Sequence, residues 1–195
     1  MKWGGTDPKV RQIRLVGVFS AFAGQFALET IKRTLPLNER PVAEVADWAR
    51  EKPRNFWDPS RKLLLTIRSY QRWQGKTGIL ANLLRKWLVL RHRFWSVITG
   101  ADIPLNCNIG GGLLIPHPNG IVIHPEAKIG VNCLIFQQVT IGTRNGPGLP
   151  RIGDHVDIGA GAKILGPIEI GAWAKIGANA VIIKDVESGA VAFSR

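Results

Sequence analysis

Between Ile103 and Ile182 the chain repeats every six residues, and no other feature limits its fold as sharply. Isoleucines stand at Ile103, Ile109 and Ile115, then at Ile123, Ile129, Ile135 and Ile141, then at Ile152, Ile158, Ile164, Ile170, Ile176 and Ile182, thirteen in phase. Glycine often follows, as at Gly110, Gly130, Gly153 and Gly171, and slim residues such as Cys133, Val139, Ala162 and Ala174 recur four places on. A half-buried strand has period 2 and a helix period 3.6, so neither generates this phase. A triangular coil does: each hexad forms one flat side, three hexads close a turn, and the isoleucines stack inward. A parallel β-helix is predicted for residues 101–195, with glycine and alanine at corners where bends are tight and backbones approach closely.

The first hundred residues lack this period and read as helical. Asp58-Pro59-Ser60 offers a cap and a first-turn proline for a helix through about Gln74. Gly75 to Gly78 interrupt, and a long helix is expected from Ile79 to about Thr99, closed by Gly100. An earlier helix is expected over 41–52, where acidic residues come first. The α+β organisation is therefore a basic helical domain over 1–100 and a coil domain over 101–195, the helices capping the open end of the coil. Within 1–40, which read as poorly ordered or interfacial, the apolar stretch 15–28 follows Lys9, Arg11 and Arg14. Three readings fit it: a buried or interfacial helix, a membrane-surface anchor, or an export signal. It is too short for a span of about 20 residues.

Charge divides the same way. Residues 1–100 carry 19 Lys+Arg against 7 Asp+Glu, whereas 101–195 carry 7 of each, so the whole net charge of +12 lies in the first half. Such a half suits a solvated helical face or an anionic neighbour, a membrane surface among them. No zinc-finger, recognition-helix or RNA-binding signature accompanies it, so no nucleic-acid partner is expected. Two cysteines, Cys107 and Cys133, make no disulfide framework and suit a reducing cytoplasm, with the protein free or peripheral at the inner membrane face.

Two breaks in the period mark candidate sites. The step from Ile115 to Ile123 holds two extra residues around Pro116-His117-Pro118-Asn119-Gly120. The step from Ile141 to Ile152 holds five more, a loop over 143–151 that includes Arg144. His117 is the candidate general base, and Asp102, fifteen residues earlier in a coil of about eighteen per turn, is the candidate partner that orients it. A loop histidine held between two prolines is the plain alternative. His124 and His155 fall at other phases, and the three histidines do not suggest a converging metal site, so no metal is expected.

The runs His117-Pro-Asn-Gly-Ile-Val-Ile123, Ala127-Lys-Ile-Gly130, Gln138-Val-Thr-Ile-Gly142, Ile158-Gly-Ala-Gly-Ala-Lys-Ile-Leu-Gly166 and Ala174-Lys-Ile-Gly-Ala178 resemble the serine acetyltransferase family of hexapeptide-repeat acyltransferases. The resemblance covers about 58–190 and is strongest in the coil. It implies a left-handed β-helix, acetyl-CoA as co-substrate, and a homotrimer, alone or paired into a hexamer, with the cofactor between neighbouring coils. It implies His117 as catalytic base with Asp102 as its partner. By position it places cofactor contacts at Gly142 and Ala160, with Lys175 and Ala178 a turn further on. Family members usually continue into a tail over the cofactor end; the run Ala190-Val-Ala-Phe-Ser-Arg195 differs from it and predicts a looser hold on the cofactor.

The acceptor pattern departs from the family's. Serine-using members place aspartate before the catalytic histidine, where this chain has Pro116, and an Arg-His pair before the step that reads Pro150-Arg151-Ile152 here. Asp58, in Asp58-Pro59, matches a further family aspartate, and Arg144 is a second candidate acceptor contact. A zwitterion needs charge partners at both ends. The chain also resembles colanic-acid-type polysaccharide acetyltransferases, whose sugar hydroxyl needs no such clamp. Both acceptors therefore stay open, a sugar or polysaccharide precursor and L-serine. The contrasting reading is a non-catalytic trimeric scaffold or membrane-surface adaptor.

Overall fold

The computed structural model describes residues 45–193. The apolar stretch 15–28, the readings of 1–40 and the start of the helix expected over 41–52 lie outside them. What remains of that helix is one 3₁₀ turn, Trp48–Glu51. Pro53 disfavours helix just before it, and the coil holds this segment by hydrogen bonds: Asp47 N–H donates to Asn132 Oδ1 at 2.8 Å and Arg50 Nη1 to the Asn132 carbonyl at 2.7 Å.

Two helices follow, α1 (Pro59–Trp73) and α2 (Ile79–Thr99), packed along each other. Pro59 opens α1 as expected, but the Asp58 side chain makes no cap bond. Its carboxylate is turned instead to Arg54 and Arg61. Gly100, at φ +65°, ends α2 by donating its N–H to the Ser96 carbonyl at 2.8 Å. Leu63, Leu64 and Ile67 of α1 and Trp95 of α2 share one hydrophobic core with the coil.

The coil is three parallel sheets of short strands. Sheet I stacks β1 (Asn108–Ile109), β3 (Lys128–Ile129), β6 (Arg151–Ile152) and β9 (Glu169–Ile170). Sheet II stacks β4 (Leu134–Ile135), β7 (Asp157–Ile158), β10 (Lys175–Ile176) and β12 (Val191–Ala192). Sheet III stacks β2 (Val122–Ile123), β5 (Thr140–Gly142), β8 (Lys163–Leu165) and β11 (Val181–Ile182). The chain visits I, II and III in turn, as a β-helix must. Register places isoleucine on isoleucine: Ile109 on Ile129 on Ile152 on Ile170, and Ile123 on Ile141 on Ile164 on Ile182. All thirteen in-phase isoleucines are buried.

The corners differ from expectation in a way that has a simple cause. Most glycines after the isoleucines, Gly110, Gly130, Gly153, Gly159 and Gly171 among them, do not take the left-handed corner conformation; they let one layer lie on the next. A Cβ on Gly110 would sit 2.6 Å from the Gly130 carbonyl carbon, and one on Gly153 would sit 2.7 Å from the Ala172 nitrogen. The left-handed corner positions fall elsewhere, and several carry side chains: Asn132, His155 and Trp173 at the edge between sheets I and II, Gln138 and Asn179 at the edge between II and III. His155 and Trp173 stack face to face, centroids 4.0 Å apart and 3° from parallel, so contact between layers offsets the cost of positive φ.

Candidate active site

The two extra residues after Ile115 are absorbed at the edge between sheets II and III. Ile121 takes the slim slot filled by Val139, Ala162 and Ala180 in later turns, and 116–120 bulge outward. A backbone ladder fixes the edge: Gln138 N–H donates to the Asn119 carbonyl, Gly161 N–H to Gln137, and Asn179 N–H to Ala160, at 2.9, 2.8 and 2.7 Å. His117, Phe136, Ala160 and Ala178 thus occupy four successive layers of one edge. At about 4.8 Å per layer, Ala160 lies about 10 Å and Ala178 about 14 Å along the axis from His117.

His117 is exposed, and its ring lies over Phe136 in the next layer, centroids 6.5 Å apart and 27° from parallel. Asp102 pairs by backbone with Val122: its N–H donates to Ile121 and its carbonyl accepts from Ile123. The local turn is therefore twenty residues rather than eighteen. No hydrogen bond or ion pair joins the Asp102 carboxylate to His117 within the chain; the neighbour of the imidazole is Phe136. Phe136 escaped the sequence reading, although a position nineteen residues after His117 is one turn on.

The other predicted contacts divide between edges. Lys175 is exposed on β10, and Ala178 is exposed at the end of the His117 edge. Gly142 ends β5 at the edge between sheets III and I, where a Cβ would meet nothing within 4 Å. Arg144 lies exposed beside Gly166 at that same edge, whose Gly166 N–H donates to the Gly142 carbonyl at 3.0 Å. One chain therefore does not bring Gly142 and Arg144 to His117. On the His117 edge, Lys163 reaches the Gln138 carbonyl at 2.7 Å and Thr140 Oγ1 at 3.1 Å, and the Gln137 side-chain oxygen is buried without a hydrogen-bond partner.

A cleft of about 150 Å³ opens beside Pro116, the residue before His117. Leu64, Leu113, Ile115 and Pro116 make its apolar wall, and Arg54 and Arg61 line it. Behind the arginines Asp58 is buried; Arg54 Nε donates to its carboxylate at 3.1 Å and Arg61 Nη1 at 3.4 Å. Burial raises the Asp58 pKa, but the hydrogen bonds from Arg54 and the charges of Arg61 and Arg54 outweigh it and hold the carboxyl below its ordinary range. Asp58 thus orders two guanidiniums rather than facing the cleft. Neither arginine was singled out from sequence, because nothing in the spacing of 54 and 61 points to residue 116.

Burial pushes the Cys107 thiol up to about 11 and the Cys133 thiol up to about 12, so both are core residues and not nucleophiles. His124 Nδ1 accepts the Glu126 N–H at 3.3 Å, and among the described residues no three His, Cys, Asp or Glu side chains converge as metal ligands.

Residues 150–184 match the family model "Bacterial transferase hexapeptide (six repeats)". The serine acetyltransferase of Mycobacterium tuberculosis (strain ATCC 25618 / H37Rv) is 45% identical over 122 residues, 61% of this chain and 50% of that protein. Soybean serine acetyltransferase complexed with serine superposes with TM-score 0.59 at 33% identity, over 70% of this chain and 55% of that one. A serine acetyltransferase in complex with CoA superposes with TM-score 0.57 at 31% identity, over the same shares. The chain spans about half the length of the curated relatives it matches. Residues 150–184 thus carry the bacterial transferase hexapeptide repeat, and the chain around them is similar in sequence and in fold to the serine acetyltransferases.

Proposed function

We propose that the protein is an acetyl-CoA-dependent O-acetyltransferase. The observation that carries the reading is the single edge on which His117, Ala160 and Ala178 stand in line, with an arginine-lined cleft at its His117 end. The cofactor's pantetheine arm runs along that edge, where alanine leaves the backbone approachable. His117 takes the proton of the acceptor hydroxyl, and the oxygen attacks the thioester carbonyl. The C–S bond then breaks, CoA leaves as thiolate, and His117 returns the proton to sulfur. Asp102 orients His117 in the loaded site.

Gly142 and Arg144 sit on a different edge, so they reach His117 only if a neighbouring copy presents that edge. A homotrimer supplies such neighbours three times over. This supports a cofactor site between subunits.

For the acceptor, the cleft favours a hydroxyl compound with a carboxylate, L-serine first. Arg54 and Arg61 answer the anionic end where the Arg-His pair is missing. The relatives named above are serine acetyltransferases, one of them complexed with serine, which supports the same choice. A sugar hydroxyl is the second reading. It is favoured by Pro116 before His117 and by the occupation of Asp58, which leaves an ammonium group without a facing carboxylate.

Thiol release from acetyl-CoA, with L-serine beside a panel of sugars and nucleotide sugars, tests the proposal. Turnover abolished by His117→Ala supports it, and full turnover by that variant rejects the mechanism. Serine turnover weakened by Arg54→Gln places the carboxylate in the cleft; turnover with sugars alone selects the second reading. CoA binding without turnover leaves a scaffold that has kept its cofactor groove, and the absence of both rejects the proposal.

A further inference from the structure

Helix α2 buries a narrow line, Ala81, Leu88 and Trp95, seven residues apart. Beside that line runs a second apolar seam that nothing covers among the described residues: Leu80, Leu83, Trp87, Leu90, Phe94 and Val97, each between 52% and 82% exposed. Their spacing alternates three and four, so they form one continuous stripe about 25 Å long at 1.5 Å per residue. Phe56 and Trp57, 88% and 58% exposed, widen its far end, where Trp57 meets Trp95 edge-on at 5.8 Å and Phe94 meets Trp95 at 5.0 Å. A stripe of this size on a soluble surface is an interaction face.

Charge selects the occupant. Between Asp58 and Asp102 the chain has nine lysines and arginines and no acidic residue. Lys86 and Arg93 stand exposed along one side of the stripe, and Arg91 lies on the other with its guanidinium 5.3 Å from the Trp87 ring. Two copies of this helix paired through the stripe would set cation against cation along both flanks, with no carboxylate on either helix to relieve it. An anionic lipid surface offers the opposite: headgroup phosphates for the flanking cations and acyl boundary for Leu83, Trp87, Leu90 and Phe94. Indole rings flanked by cations suit the boundary between headgroup and hydrocarbon. No helix among the described residues is long and apolar enough to cross a membrane, so such a helix lies along the surface.

We infer that α2 is a peripheral docking helix that seats the protein on anionic lipid through the Leu83–Val97 stripe. The inference stands on the stripe and its flanking charge, independently of the acetyl-transfer reading.

Co-sedimentation of the full chain with phosphatidylcholine vesicles, with and without phosphatidylglycerol, is the test. Binding is expected only when phosphatidylglycerol is present, and it falls as salt rises. Lys86→Gln with Arg93→Gln removes two surface cations and is expected to weaken binding by about thirtyfold, at about fivefold for each charge. Leu83→Glu with Leu90→Glu abolishes it. In both double variants the sedimenting mass and the thermal melt stay those of the parent. Equal binding to neutral vesicles overturns the inference, as does no binding to either. Binding that ignores both pairs of substitutions also overturns it, because the lipid contact then lies in another segment, 15–28 included. A drop in sedimenting mass for Leu83→Glu with Leu90→Glu overturns it too, since the stripe is then a seam between copies.

Discussion

Arg68 of α1 grips Glu51 with two hydrogen bonds, 3.0 Å from Nε and 2.9 Å from Nη2, while its Nη1 and Nη2 reach the carbonyls of Ile109 and Gly110 at 2.7 Å each. Glu51 in turn accepts the Leu113 N–H at 3.1 Å. One ion pair thus joins the 3₁₀ turn, the first helix and the first coil layer. The open end of a β-helix is closed here by side-chain charge meeting backbone, in addition to apolar packing.

Breaking that joint is expected to be costly. Glu51 is buried and Arg68 nearly so, so removing one partner leaves an uncompensated charge beside orphaned coil carbonyls. Arg68→Gln is expected to destabilise by about 3–5 kcal/mol. Glu51→Gln with Arg68→Gln is expected to cost less than the two single losses added, because neither variant then strands a charge. Thermal or urea unfolding of the four proteins checks both statements.

Asp58 predicts a pH dependence whose sign follows from its environment. Its carboxyl is held below the ordinary value of 3.8, so the charged form is the one that the fold favours. Its contribution is full above that ordinary value and is lost as pH falls through the lower, folded value. The stability gap between the parent and Asp58→Asn is therefore expected to be constant near neutrality, to narrow below pH 3.8 and then to close. A gap that widens on acidification contradicts the assignment. The same variant frees Arg54 and Arg61, so acceptor affinity at the cleft is expected to change with it.

The thirteen isoleucines made the coil legible, since an apolar residue at every sixth position suits neither a helix nor a simple strand, and Asp58-Pro59 and Gly100 marked helix ends that the structure keeps. The 3₁₀ turn at Trp48–Glu51 was not legible, because contact with Asn132, more than eighty residues away, overrides local propensity. The left-handed corners at His155 and Trp173 were hidden for a related reason: a ring at positive φ makes sense only beside the ring of the next layer. His117 stood out as a break in a period. Phe136 and the cleft arginines broke none, and only the folded chain brings Phe136 to His117 and the arginines to the cleft beside Pro116.

Two glycines of similar sequence context have opposite expected tolerances. A Cβ on Gly153 would meet the Ala172 nitrogen at 2.7 Å and its Cα at 3.0 Å, backbone atoms that cannot step aside. Gly153→Ala is expected to destabilise by about 1–3 kcal/mol. Gly142 has open space, so Gly142→Ala is expected to leave the melting curve unchanged. If a neighbouring copy presents that edge to the cofactor, the same methyl raises the KM for acetyl-CoA. Melting curves for both, with acetyl-CoA kinetics for Gly142→Ala, read the two effects separately.

Neither cysteine is expected to react in the native state. With thiols pushed up to about 11 and about 12 and both side chains buried, the thiolate fraction at mildly alkaline pH is on the order of a thousandth or less. Iodoacetamide followed by mass measurement is expected to find an unmodified native chain and two labels after denaturation. Rapid native labelling of Cys107, the less enclosed of the two, would show that the first coil layer opens.

Phe136 supports the imidazole of His117 from the next layer, 6.5 Å centroid to centroid, and it should set where that ring points. Phe136→Ala removes the platform while leaving His117 itself in place. With His117 as the proposed base, the expected result is a kcat about tenfold lower, since small misplacements of such a group are costly. Phe136 stands on the same edge between His117 and Ala160, so the KM for acetyl-CoA is read beside kcat, and a fall confined to kcat assigns the ring to positioning. Phe136→Tyr keeps the ring and should restore the rate. Loss of stability alone would lower active enzyme without that rescue pattern, and an equal loss in both variants would place Phe136 in packing rather than in positioning. Steady-state kinetics of the two variants, each corrected for folded fraction, decides between them.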